Sequence, residues 1–92
     1  MANPHTHASH PDVIKRLKRA NGHLLSVISM IDDGRECVDI AQQLHAVERA
    51  ISQAKRVLIQ DHIDHCLVVA IDKAEGGTQP DLEAFKKITK YL

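Results

Sequence analysis

From residue 13 onward, apolar side chains return at spacings of four and three: Val13, Leu17, Ala20, Leu24, Val27 and Ile31, with Ile14 and Ile28 widening the stripe. That period belongs to a helix that buries one face. Ser9, Pro11 and Asp12 mark its start, with Ser9 as N-cap, Pro11 in the first turn where its missing N–H is tolerated, and Asp12 at the capping-box position. The helix is expected to end at Asp32 or Asp33, with Gly34 as its stop. Between Gly34 and Gly76 lie 41 residues without Gly or Pro, and Ile40, Leu44, Val47, Ile51, Ala54 and Leu58 keep the same beat. This predicts one very long helix, about 50–60 Å at 1.5 Å per residue. A compact chain of this size cannot cover such a stripe with one partner helix, so the stripe calls for a second copy. After Gly76-Gly77-Thr78, Pro80 and Asp81 begin a short last helix with Leu82, Phe85 and Ile88 on one face. Residues 1–8 carry Asn3, Pro4, His5, Thr6 and His7 without an apolar period and read as a flexible arm. The chain shows no internal repeat and no strand pattern. The expected fold is all-α, with three helices per chain and a very long second one, in a single domain spanning residues 1–92.

Composition agrees with helices. The 92 residues are 43% apolar but only 2% aromatic, with Phe85 and Tyr91 the only two rings, so Ile, Leu, Val and Ala must build almost all of a monomeric core. Twelve basic and twelve acidic residues cancel, which excludes coating of nucleic acid or an anionic membrane by bulk charge. No apolar run approaches the length of a membrane span, and the first twelve residues lack the basic start and apolar stretch of a signal peptide, so a cytoplasmic protein without membrane contact is expected. Two cysteines are too few for a disulfide scaffold, and seven histidines shift the expected use of those thiols toward metal.

Cys37, His62 and Cys66 are the candidate ligands. His62 and Cys66 stand at i and i+4 on the long helix, so both leave the same face one turn apart and can close on one ion. Cys37 opens that helix 25 residues before His62, about 37 Å away on an unbroken helix, and cannot join them within one chain. An antiparallel partner removes the difficulty: a two-fold axis near Ala50 and Ile51 brings Cys37 of one copy beside His62 and Cys66 of the other. Two thiolates with one imidazole suit Cu(I); a second imidazole gives a set for Ni(II), Co(II) or Zn(II). His5, His7 or His10 can supply it from the arm, while His65 points about 100° away from Cys66. His23 and His45 have no such partners and read as structural.

Lys15, Arg16, Lys18 and Arg19 form a basic run on the first helix, offset only by Asp12, and Arg49, Lys55 and Arg56 add a second group near the proposed axis. Together they make a candidate cationic face for DNA despite zero net charge. The chain has no helix-turn-helix pattern, no Cys-rich finger and no aromatic surface for stacking bases, so recognition would rest on phosphate contacts and shape.

These residues carry a resemblance. Lys15-Arg16-Leu17-Lys18, Gly22-His23-Leu24, Cys37-Val38-Asp39-Ile40, Gln42-Gln43-Leu44 with Ala46-Val47, and His62 to Cys66 resemble the CsoR/RcnR family of metal-sensing transcriptional repressors over nearly the whole chain. The resemblance implies an all-helical antiparallel dimer assembling into a flat dimer-of-dimers tetramer, bound to operator DNA without metal and released by it. It places Cys37, His62 and Cys66 on the family's sensing triad, and Arg16 and Lys18 on its basic first-helix positions. Copper-sensing members typically carry Tyr before the first Cys and Glu early in the last helix, where this chain has Glu36 and Pro80. Nickel- and cobalt-sensing members often add an N-terminal His, and His5 lies at the matching distance. Persulfide-sensing relatives lack the His that is His62 here, and formaldehyde-sensing ones look to Pro where this chain has Ala2.

The expectation is therefore a repressor released by Ni(II) or Co(II), with Cu(I) as the alternative metal. Its partners are operator DNA and copies of itself, with no small-molecule substrate. A metal-buffering protein and a thiol-reactive sensor acting through Cys37 and Cys66 are the alternatives from other classes. No nucleophile with its base, paired carboxylates or phosphate loop points to an enzyme.

Overall fold

The computed structural model describes residues 8–76 and 82–92, and all of its regular structure is helical: α1 His10–Asp32, α2 Cys37–Glu75 and α3 Glu83–Thr89. No strand occurs among the described residues. The 39-residue α2 is unbroken, as its lack of Gly and Pro predicts. His5, His7, Pro80 and Asp81 lie outside the described residues. The last helix begins at Glu83, with Leu82 as its N-cap and no side-chain cap, later than the Pro80–Asp81 start that the sequence suggests.

The turn after α1 is set by Gly34, whose φ of +72° is the left-handed conformation open to a residue without Cβ. Gly34 donates its N–H to the Ile31 carbonyl at 3.1 Å and Arg35 donates to Met30 at 3.0 Å, the paired bonds of a Schellman cap. The chain then re-enters helix at once, with the Ile40 N–H bonding the Glu36 carbonyl. At the other end of α1, Ser9 stands just before the first helical residue, as an N-cap should, but its hydroxyl is drawn to Asp61 at 2.6 Å.

Contacts divide the chain into two units. One comprises Pro11–Lys55, an α1–α2 hairpin; the other comprises the segment ending at His10 together with Arg56–Leu92. In the hairpin, the buried positions are Val13, Ala20 and Val27 on α1 and Val47 and Ala54 on α2. Each set repeats every seven residues, the signature of two helices meeting along a narrow seam. The second unit buries Ile59, which lies off the predicted stripe.

Only part of that stripe is covered within one chain. Leu17, Ile14, Ile28 and Ile31 on α1 and Leu44 and Ile51 on α2 are all more than 40% exposed. These large aliphatic side chains stay open to solvent within the single chain.

Candidate functional site

Cys37 is the first residue of α2 and is exposed, and both cysteines are free thiols. His62 and Cys66 lie well along the same helix, half-buried and one turn apart on one face. Cys37 belongs to the hairpin unit and the His62–Cys66 pair to the other. Among the described residues of the single chain, no three His, Cys, Asp or Glu side chains converge on a common point. The residue types nonetheless fit a transition metal by chemistry: one imidazole and two soft sulfurs, neither consumed in a disulfide. Of the accessory histidines, His10 is half-buried at the start of α1 and His65 is exposed.

The sequence around His62 sets its surroundings. Asp61, one residue earlier, accepts the Ser9 hydroxyl at 2.6 Å and the Ser9 backbone N–H at 3.4 Å. Gln60 donates to Asp64 at 3.0 Å along the helix, occupying the neighbouring polar face.

The basic residues separate into two groups. Arg16 and Arg19 line a groove of about 180 Å³ in the hairpin unit with Ala20, His23, Ala50 and Gln53. The positions 16, 19, 20 and 23 share one side of a helix, which is why these four residues line the same groove. The α2 wall of the groove is Ala50 and Gln53, whereas the exposed Arg49 and Lys55 do not line it. Lys15, Lys18 and Arg56 are also exposed. Arg16 is held by Asp12 at 2.8 Å across one turn of α1. His23, which reads as structural in the sequence, both lines the groove and shares a 2.6 Å hydrogen bond with Gln43. Gln53 carries no charge, so a search for cations overlooks it; only the hairpin register reveals it.

The described residues form three helices, with Cys37, His62 and Cys66 on α2 and the run Lys15, Arg16, Lys18 and Arg19 on α1. Residues 9–92 match the sequence profile of the metal-sensitive transcriptional repressors, and the chain belongs to that family, the CsoR/RcnR family. It is 36% identical over 80 residues to the copper-sensing transcriptional repressor CsoR of Bacillus subtilis, covering 85% of this chain and 79% of that protein. Identity to the copper-sensing repressor CsoR of Mycobacterium tuberculosis is 32% over 78 residues, and the matched part spans 64% of that longer relative. Among solved structures, the nickel-responsive transcriptional regulator InrS superposes with a TM-score of 0.79 at 28% identity, covering 98% of this chain and 100% of that one. The all-α fold of three helices is thus the fold of a known regulator, and the family is one of metal-sensing repressors, not enzymes. No helix among the described residues is long and apolar enough to cross a membrane.

Proposed function

We propose that residues 1–92 act as one cytoplasmic metal-sensing and DNA-binding domain, which holds operator DNA without metal and releases it on binding Ni(II) or Co(II). The observation that carries this reading is the unbroken α2, with Cys37 as its first residue and the His62–Cys66 turn far along it. Two such helices lying antiparallel about Ala50 and Ile51 give two equal sites, each with Cys37 of one protomer and His62 and Cys66 of its partner. The exposed Leu44 and Ile51 are the apolar residues that this pairing would cover, and two dimers would form the flat tetramer. His5 supplies the fourth donor, completing a set of two thiolates and two imidazoles suited to Ni(II) or Co(II).

DNA lies against Lys15, Arg16, Lys18 and Arg19 of α1, with Arg49, Lys55 and Arg56 of α2 extending the cationic surface. The groove between Arg16, Arg19, His23 and Gln53 is a seat for a phosphate. Release follows from linkage: metal binds the DNA-free arrangement more tightly, and a coupling of about 1–3 kcal/mol weakens operator binding roughly 5- to 150-fold. Because the ligands come from two protomers, metal and dimer geometry are tied directly.

Cu(I) is the second reading, favoured by the copper-sensing relatives in Bacillus and Mycobacterium. Metal titration followed by absorption separates the two. Ni(II) and Co(II) thiolate sites give visible charge-transfer or d–d bands, whereas d¹⁰ Cu(I) gives only ultraviolet ones. Repeating the titration with His5→Ala tests the fourth donor: an unchanged Ni(II) spectrum and affinity would remove His5 from the site. Operator release by Ni(II) in a gel-shift assay is the functional check. Failure to bind the chain's own promoter region at low salt, with tight metal uptake, would favour a metal buffer instead.

A further inference from the structure

The first residue before α1 and the residue before His62 are joined by a hydrogen bond that spans 52 positions of sequence. The Ser9 Oγ–H donates to Asp61 Oδ2 at 2.6 Å, and the Ser9 backbone N–H approaches the same oxygen at 3.4 Å. Both residues are half-buried, so this hydroxyl–carboxylate bond is less exposed to solvent competition than a surface pair.

Three features give the contact a role. Ser9 sits at the root of α1, and the basic run Lys15–Arg19 follows within the next three turns of that same helix. Asp12, also in the first turn of α1, fixes Arg16 at 2.8 Å, so the orientation of this turn also sets that of a cation proposed to contact DNA. Asp61 precedes His62 directly, and successive residues on a helix are about 100° apart. The carboxylate and the imidazole therefore project from adjacent faces of one turn of α2. A tilt or rotation of that turn, were His62 and Cys66 to close on a metal ion, would displace the oxygen that holds Ser9. A bond of this length survives only small displacements before it weakens.

We propose that Ser9 and Asp61 are a positioning pair that couples the metal site to the DNA-binding helix, by pinning the start of α1 to the turn of α2 that carries His62. The proposal rests on the functional reading above, since it needs a metal at His62 and DNA at α1. Neither residue is a ligand or a phosphate contact. Their role is to make the two binding events sense each other.

The test compares the wild type with Ser9→Ala, Ser9→Thr, Asp61→Ala and the double variant Ser9→Ala/Asp61→Ala. Operator affinity is measured by fluorescence anisotropy without metal and at saturating Ni(II), with Cu(I) in parallel, and metal affinity by chelator competition. Ser9→Ala is expected to keep apo operator affinity and metal affinity within about twofold. The factor by which metal weakens DNA binding should fall about fivefold or more. Ser9→Thr, which keeps a hydroxyl, should restore that factor, and Ser9→Ala should have no further effect once Asp61 is Ala. Amide exchange in the first turns of α1 should quicken in Ser9→Ala while the centre of α2 stays protected.

If Ser9→Ala is released as strongly as the wild type, or its effect persists undiminished beside Asp61→Ala, the positioning role is wrong. Parallel loss of metal and operator affinity would mean a structural role only and also overturns it. A wild type that neither ion releases from DNA sinks the functional reading itself, an outcome visible before any variant is compared.

Discussion

Asp12 holds Arg16 across one turn of α1, with Nε and Oδ2 2.8 Å apart and the two side chains 57% and 39% exposed. Such a pair contributes only about 0.3–0.5 kcal/mol to the helix, so its interest lies in what it does to a cation beside the groove. A carboxylate there competes with phosphate for the guanidinium. Asp12→Asn is therefore expected to raise apo operator affinity a few-fold at low salt, with little loss of helix content. Arg16→Ala should weaken binding across all sequences and make the logarithmic salt dependence shallower by about one unit. Anisotropy titrations at several salt concentrations read both effects; an Asp12→Asn protein that binds DNA more weakly would contradict this account of Arg16.

Cys37→Ala should abolish the response to metal while leaving apo DNA binding intact, because the residue is exposed at the start of α2 and supports no core packing. Gel shifts with and without Ni(II) decide the point. Normal release of the variant would remove Cys37 from the sensing site.

Ile51 is 44% exposed in the single chain and lies at the proposed two-fold axis. Ile51→Glu places two carboxylates against each other across that axis, and burying like charges opposes association. Sedimentation equilibrium is expected to show a monomer where the wild type self-associates, and Ni(II) affinity should fall with it. An Ile51→Glu protein that remains dimeric would place the axis elsewhere.

Among the described residues, Ile59 at 2% exposed and Val27 at 1% are the most deeply buried large side chains of the second unit and the hairpin respectively. Ile59→Ala is expected to cost about 2–5 kcal/mol and Val27→Ala about 2 kcal/mol. Gly34→Ala meets no atom within 4 Å but inherits a φ of +72°, and should cost about 1–2 kcal/mol from backbone strain alone. Urea denaturation at one fixed protein concentration measures all three, since stability in a self-associating protein depends on concentration.

Much of this was legible from spacing alone. The 41 residues without Gly or Pro dictated an uninterrupted α2, because nothing in that stretch lacks a hydrogen bond donor or carries the backbone entropy that ends helices. Gly34 announced the turn, and the i, i+4 separation of His62 and Cys66 put two donors on one face without any knowledge of packing. The heptad stripe was visible too, but not its division. Val13, Ala20 and Val27 turn toward α2, while Leu17 and Ile31 stay open, and a pattern of apolar residues does not say which neighbour each of them meets. Cys37 lies 25 and 29 residues before His62 and Cys66, so bringing the three to one ion is a proposal about two chains, which spacing along one helix suggests but a single chain does not display.

Periodicity thus settled the long helices and the turn between them, because each depends on neighbours within a few residues. The tertiary structure alone decided that Ser9 bonds Asp61 instead of simply capping α1, that Arg16 and Arg19 share a groove with His23 and Gln53, and which aliphatic residues stay exposed in the single chain. Those relationships follow from the register at which distant segments pack, and register is fixed by the fit of many side chains at once.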